Sequence, residues 1–384
     1  MTAEGDENYL TTAEVARRLQ VKPETIYAYV SRGLLTSTRA RGRRGSLFSA
    51  AEVERLAARS VDHSGVVERI ESELTLLQDD QLYYRGQSAG ELATTSTVEE
   101  VAQLLWTGDQ SAAVGFSAGE VPLARSAMEV VPATARLTDR LRVAVAVLGA
   151  ADPLRFDLSP TSVTSAARAL VGTLVVALPG PTIDSGATLG ARLWPKLSDE
   201  APRPEVLDAA LILLADHGLA VSTVAARVAA SARANLYAVI SAGLGALDGQ
   251  YHGAAPTLAY EFLRRAQQDP LKALSDQLRS GEPIPGFGHR IYQHRDPRAD
   301  VLLGLLGDHP IVGTIAAVAE RTPMFPNSDL AIAAIMHAYN FRPDAGDALF
   351  ALARMIGWTA HALEEYAAPA LRFRAMGIYT GQSS

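Results

Sequence analysis

The sequence predicts an all-α body preceded by a small basic module, on three observations. Apolar residues recur at helical rather than alternating spacing through most of the 384 residues, with glycine and proline falling mostly between the periodic stretches. Alanine dominates the middle of the chain, twelve of them between Ala220 and Ala255. Charge is uneven: residues 1–60 hold ten Arg/Lys against seven Asp/Glu, a balance of +3, and the remainder carries −10 for −7 overall.

Within the module, Thr12-Ala-Glu-Val15-Ala-Arg-Arg-Leu19 opens on a hydroxyl N-cap candidate and carries apolar residues at helical spacing. Pro23 suits the first turn of a second helix, with Ile26, Tyr29 and Val30 on one face and Gly33 as its cap. The basic run Arg39-Ala-Arg-Gly-Arg-Arg44 follows, then Leu47-Phe48-Ser49 and a third helix from Ala50 to Arg59. Two helices on a tight turn and a basic hairpin form a winged helix-turn-helix layout, and the stretch resembles the MerR/excisionase type. On that resemblance Lys22, Thr25, Tyr27 and Arg32 face a groove, while Arg39, Arg41, Arg43 and Arg44 clamp phosphate. The other reading is a helical protein-docking module whose arginines are merely solvated.

In the body, helices are expected over Val98–Trp106, Ala124–Val131, Thr138–Leu148, Thr161–Leu178, Glu205–Asp216 and Ser222–Leu247. The small residues of the last of these suit a buried or subunit-facing helix. Composition sets further bounds. With 48% hydrophobic and 20% charged residues the chain is globular, and its length allows two or three domains at ~150 residues each. It has no cysteine, which excludes disulfides, thiolate metal sites and a thiolate nucleophile. There is no signal-peptide pattern. The longest apolar run, Ala169–Pro179, is broken by Gly172 and too short to span a membrane. A cytoplasmic protein is the expectation.

Two leads fail. Gly243-Leu-Gly245-Ala-Leu-Asp-Gly249 lacks the strand and spacing of a phosphate loop, and His217, His252 and His289 have no metal-ligand spacing. The chemistry concentrates instead in Pro285-Gly-Phe-Gly-His289-Arg-Ile-Tyr-Gln-His-Arg-Asp296-Pro-Arg298. Glycines let backbone approach a ligand, an imidazole offers a proton, and a guanidinium forks onto a carboxylate, which together suit a small anion.

That run resembles the signature of the citrate synthase family, and other segments follow in the family's order: Leu82-Tyr-Tyr-Arg-Gly86 with Glu91-Leu-Ala93; Asp216-His217 with Ser222-Thr223; Gly245-Ala-Leu-Asp-Gly-Gln-Tyr-His252-Gly; Pro326-Asn-Ser-Asp329; Arg354-Met-Ile-Gly-Trp358 with Ala360-His361; and Arg372-Phe-Arg374 before Tyr379-Thr-Gly381. The similarity runs from about Gly65 to Gly381. It implies a large helical domain (61–253 and 350–384) and a small one (254–349) that closes over it, behind the module at 1–60. It also implies condensation of an acyl-CoA, acetyl- or propionyl-CoA, with oxaloacetate, with no bound cofactor and no metal.

On the same resemblance Asp329 is the base, His252 holds the thioester oxygen and His289 acts on the ketone oxygen. His217, Arg298 and Arg354 clamp oxaloacetate, and Arg372 is donated across a homodimer interface. Arg290, Arg295 and Arg374 are candidates for CoA, and Asp296 orients the loop or pairs with an arginine. The apolar neighbours Leu330, Ile332 and Ile335 should raise the pKa of Asp329. His63, His294, His309, His337 and His361 read as structural. The chain departs from the family pattern at Ala220-Val221, at Ala254 and Pro256, at Gln293 and over Leu330-Ala-Ile-Ala333. Two functions therefore stand: an active condensing enzyme, or a DNA-binding regulator whose body senses oxaloacetate or acyl-CoA.

Overall fold

The computed structural model describes residues 9–19, 21–31, 35–38, 46–50, 52–53, 70–111, 113–183, 186–249, 253 and 255–373. The chain divides into two compact units, 1–70 with 371–384, and 71–370.

The first unit holds β1 (Tyr9–Thr11), α1 (Thr12–Arg18), α2 (Pro23–Ser31), β2 (Ser37–Thr38) and β3 (Leu47–Ser49). Strand β3 is central, pairing Phe48 with Leu10 on one side and with Ser37 on the other. Thr11, rather than Thr12, caps α1. Its hydroxyl accepts from the Glu14 N–H while the Glu14 carboxylate accepts from the Thr11 N–H, a reciprocal capping box. Val15, Ile26, Phe48 and Val53 close the core. Residues 50, 52 and 53 are helical. Gly33, the run Arg39–Arg44 and the rest of the expected third helix lie outside the described residues.

The second unit opens with strands that the all-α expectation did not include: β4 (Thr75–Gln78), β5 (Gln81–Tyr84) and β6 (Gln87–Ser88), an antiparallel meander. Asp79 and Asp80 make its first turn, both at positive φ (52° and 53°), the conformation a two-residue hairpin needs. Helices then run to the end: α3 (Ala89–Thr95), α4 (Val98–Thr107), α5 (Val121–Glu129), α6 (Leu137–Ala151), α7 (Pro160–Ala177), α8 (Leu189–Leu197), α9 (Pro204–Leu214), α10 (Val221–Ser231), α11 (Leu236–Leu247), α12 (Ala255–Ala266), α13 (Pro270–Ser280), α14 (Pro297–Leu306), α15 (Pro310–Ala319), α16 (Ser328–Ala338) and α17 (Ala345–Ala367).

The single long helix expected over Ser222–Leu247 is two. Arg233 adopts φ 60°, and Asn235 caps α11 by accepting from the Ala238 N–H. The Ala234 N–H returns to the Ala229 carbonyl at 3.2 Å, closing the end of α10. Alanine periodicity continues across this turn, so the pattern alone did not expose it.

Helix α17 is the axis of the unit. Every residue from Ala345 to Ala362 is buried, against α4, α6, α7, α9, α10, α11 and α12. A helix covered all round is normally apolar throughout, so Asp347, Arg354, His361 and Glu365 on it each need a partner. Lys196 on α8 is a further buried charge. Its ammonium donates to the carbonyls of Val176, Leu178 and Gly180 at 3.1, 3.0 and 2.9 Å, satisfying the end of α7, and burial pulls its pKa down to about 8. Among the described residues no helix is long and apolar enough to cross a membrane.

Candidate active site

Four segments of the second unit converge. The turn after α9 presents His217, a glycine-rich loop presents His289, the start of α14 presents Arg298, and the first turn of α16 presents Asp329. Arg354 reaches them from the middle of α17.

Backbone hydrogen bonds zip the loop to the start of α16. The Gly288 N–H donates to Phe325 O at 2.8 Å, the Asn327 N–H donates to Gly286 O at 2.9 Å, and the Asn327 side-chain amide donates to Gly288 O at 2.9 Å. Gly286 and Gly288 hold φ of 80° and 75°. A Cβ on Gly286 would lie 2.7 Å from Leu330 Cβ, so this close turn demands glycine. Asn327 also caps α16, accepting from the Asp329 and Leu330 N–H groups. One residue thus ties the histidine loop to the carboxylate.

His289 Nδ1 accepts from the N–H groups of Ile291 and Tyr292 at 3.1 and 3.3 Å. Its proton therefore sits on Nε2, the nitrogen left to donate. Burial, then Arg298, pulls its pKa down to about 4, so the ring is neutral near pH 7. The His217 and His289 rings meet edge-on at 5.1 Å between centroids. Burial, then Arg298 and Arg354, holds His217 well below its ordinary range.

Arg298 spends two guanidinium nitrogens on the buried Asp296, at 2.9 and 2.8 Å. Asp296 also accepts from the Ser328 N–H at 2.9 Å, so it pairs with the arginine and joins the start of α14 to the start of α16. Arg354 donates from Nε to Leu214 O at 2.7 Å. Its buried Nη1 has no hydrogen-bond partner among the described residues. A buried cationic nitrogen in that state is set to receive an anion. Asp329 is half-buried. Burial pushes its carboxyl up to about 6, against the opposing pull of Arg298 and Arg354, in the direction its apolar neighbours predict.

Of the residues expected from sequence, His217, His289, Arg298, Asp329 and Arg354 lie in this one cluster. His252 and Arg374 fall outside the described residues. Arg372 belongs to the other unit, its guanidinium 5.2 Å from the Phe373 ring centroid. Arg290 is exposed and lines an open cleft of about 460 Å³ with Phe287, His289, Tyr292 and Met324. Arg295 is exposed and paired with Asp300 at 3.3 Å.

Tyr292 gives no signal in the sequence, because one aromatic in a polar run carries no periodicity. It is buried at the centre of the cluster, its hydroxyl 3.0 Å from His217 Nε2 and its ring 5.4 Å from the Arg298 guanidinium. His337 bonds Tyr260 O at 2.9 Å, joining α16 to α12, and His309 caps α15, both structural roles.

The departures are accommodated. Ala220 starts α10 with no side-chain cap. Pro256 takes the first turn of α12, where proline is tolerated. Leu330, Ala331, Ile332 and Ala333 are wholly buried core. Gln293 and His294 give their backbone N–H groups to Asp80 at 2.6 and 2.8 Å. Ala254 is outside the described residues. In the module Lys22 and Tyr27 are exposed and Thr25 is half-buried. Arg32, Arg39, Arg41, Arg43 and Arg44 are outside. Among the described residues no group of three His, Asp or Glu could hold a metal ion.

A neutral imidazole, two buried guanidinium groups and a raised carboxylate around one point define a site for a small anionic substrate and for carbon acid–base chemistry. Family comparison agrees. The family model for the citrate synthase C-terminal domain matches residues 65–374, and a helix-turn-helix domain model matches residues 9–60. The chain belongs to the citrate synthase family. It is 30% identical over 342 residues to 2-methylcitrate synthase of Mycobacterium tuberculosis, covering 79% of this chain and 86% of that one. It is 30% identical over 348 residues to citrate synthase of Acidithiobacillus ferridurans, covering 78% and 89%. Among solved structures, citrate synthase of Thermotoga maritima matches with TM-score 0.65 at 25% identity, over 84% of this chain and 96% of that one. The fold is shared with the Thermoplasma acidophilum citrate synthase complex with carboxymethyl coenzyme A and oxaloacetate, TM-score 0.70 at 24% identity, over 83% and 95%.

Proposed function

We propose that this chain condenses an acyl-CoA with oxaloacetate, releasing CoA and citrate or 2-methylcitrate. The observation that carries the reading is Asp329, a half-buried carboxylate raised to about 6 beside Arg298 and Arg354. Burial that raises the pKa makes the carboxylate a stronger base toward carbon. Asp329 takes a proton from the carbon next to the thioester, and His252 hydrogen-bonds the enol oxygen that results. The enol carbon then attacks the ketone carbon of oxaloacetate, and the Nε2–H of His289 passes to the ketone oxygen. Water finally cleaves the thioester, the C–S bond breaks and CoA leaves as the thiol. His217, Arg298 and the unpartnered Nη1 of Arg354 hold the oxaloacetate carboxylates in place.

Further parts belong to the same reading. Arg290 at the cleft beside His289, with Arg295 and Arg374, meets CoA. Residues 254–349 form a small domain that closes over 61–253 and 350–384, excluding water. The chain is a homodimer with Arg372 supplied by the partner subunit, and the exposed Ala238 and Gly245 on α11 support close packing of a second copy there. No metal or prosthetic group takes part. A cysteine-free chain fits the cytoplasm.

The helix-turn-helix match favours a second activity, DNA binding through residues 1–60. In the regulator reading the body senses oxaloacetate or acyl-CoA without turnover. The deciding experiment is CoA-thiol release with oxaloacetate, using acetyl-CoA and propionyl-CoA in parallel and Asp329→Ala as control. Release that vanishes in the control is expected, and the better donor names the product. The two donors differ by one methylene, worth about 1–3 kcal/mol. No release with either donor, alongside measurable oxaloacetate binding, would overturn the enzyme reading.

A further inference from the structure

We propose that His361, with Arg227 behind it, is a positioning residue for the oxaloacetate site, acting through Asp216 on the turn that presents His217. This rests on the reading of His217 as an oxaloacetate ligand.

Asp216 has no solvent exposure, and its carboxylate is satisfied from three elements. Oδ2 accepts from the Thr75 hydroxyl on β4 at 2.5 Å and from the Gly218 N–H at 2.9 Å. Oδ1 accepts from His361 Nε2 on α17 at 3.1 Å. The bond to Gly218 spans His217, so the carboxylate closes the turn around that histidine. The Tyr84 hydroxyl on β5 packs against the same turn, 3.0, 3.2 and 3.1 Å from the carbonyls of Ile212, Leu213 and Asp216.

The direction of the His361 bond follows from its other side. Nδ1 lies 2.6 Å from Arg227 Nη1, and a guanidinium only donates. Nδ1 therefore accepts, the ring proton is on Nε2, and Nε2 donates to Asp216. Arg227 cannot turn away, because its buried guanidinium is fixed by Glu365 and Glu364, each at 2.6 Å. Glu364 in turn accepts from Ser72 Oγ and the Glu73 N–H at 3.2 and 3.0 Å. A chain of charge-assisted bonds, exposed at Ser72 and Glu73 and buried from Arg227 inward, thus runs from the first residues of the second unit to the turn at His217. The sequence suggested only a structural role for His361. Its placement adds a consequence: losing this donor strips one bond from the anion that shapes the substrate turn and that lies close enough to Arg354 to act on its charge.

The test uses the full chain and oxaloacetate as probe, with affinity read by calorimetry and KM values by CoA release. In His361→Leu the donor is gone, and oxaloacetate affinity should fall about tenfold or more, with the acyl-CoA KM unchanged. His361→Gln, whose amide nitrogen reaches the Nε2 position, should stay within about threefold of the parent. Thr75→Val, which removes an independent donor from the same anion, should also weaken oxaloacetate about tenfold without moving the acyl-CoA KM. The proposal is overturned if His361→Gln is as impaired as the leucine variant. It is equally overturned if Thr75→Val and His361→Gln both leave oxaloacetate affinity at the parent value while His361→Leu merely unfolds. A parent chain that binds oxaloacetate without releasing CoA would remove the enzyme reading and leave this comparison intact. One that does not bind oxaloacetate would overturn both.

Discussion

Asp329 is pulled in two directions. Its place at the start of α16 and the nearby Arg298 and Arg354 favour the anion, whereas burial disfavours it, and burial prevails at about 6. Activity should therefore climb as pH rises through about 6 and then level off, measured as kcat/KM against pH. Asp329→Asn should cost about 10²–10⁴ in kcat. The same shift has a stability cost of the opposite kind. A carboxyl raised from 3.8 to about 6 in the folded state destabilises the fold above that range, by about 3 kcal/mol at most. Below pH ~4 the penalty disappears, because both states are then protonated. Asp329→Asn should accordingly raise Tm at pH 8 and leave it nearly unchanged at pH 4. His289 works with the reverse sign: depressed from 6.5 to about 4, it supports the fold above pH 6.5 and withdraws that support as pH falls through the folded value. At this scale the sequence was informative where residue types recur in a fixed pattern, as in Pro326-Asn-Ser-Asp329. Tyr292 and the partner of Asp216 depend on contacts between distant elements, which no local pattern encodes.

At the level of elements, the loop of Gly286 and the turn of Arg233 set their neighbours' geometry. Gly286→Ala places a methyl against Leu330 at a φ of 80°, and should cost about 1–3 kcal/mol with a large loss of activity, because His289 moves with the loop. Thermal unfolding and CoA release read the two effects separately. Arg233 at φ 60° is strained, yet its guanidinium donates to Glu365 O and Ala368 O at 2.7 and 2.5 Å, finishing α17. Relief of the backbone is worth about 1–2 kcal/mol, and two charged hydrogen bonds are worth about 1.5–3 each. Arg233→Gly should therefore lower Tm despite the easier φ. Of the fifteen helices described in the second unit, α4 to α7 and α9 to α11 were legible from apolar spacing, to within a few residues at their outer ends, with α10 and α11 read as one; α17, covered all round, shows no amphipathic stripe to read. The break at Arg233 was not legible, since an arginine in place of glycine conceals a left-handed turn. The strands β4 to β6 were missed because each is only two to four residues long, too short for alternation to register.

For the whole molecule, the charge asymmetry between residues 1–60 and the remainder was visible in composition and matches the helix-turn-helix assignment. Replacing Arg41, Arg43 and Arg44 together by alanine should weaken DNA binding across sequences and flatten its salt dependence, by up to about 0.9 in slope for each phosphate no longer neutralised. A fluorescence titration at several salt concentrations measures this. The chain contains three lysines, Lys22, Lys196 and Lys272, among 35 basic residues. Lys196, with three carbonyls around its ammonium, is almost fully covered. Among the lysines, amine-directed reagents applied to the folded protein thus meet Lys22 in the module and Lys272 on α13. The carbonyl cage that closes α7 leaves residues 1–60 and the remainder with one reactive lysine apiece, a ready pair of handles for cross-linking or distance measurement.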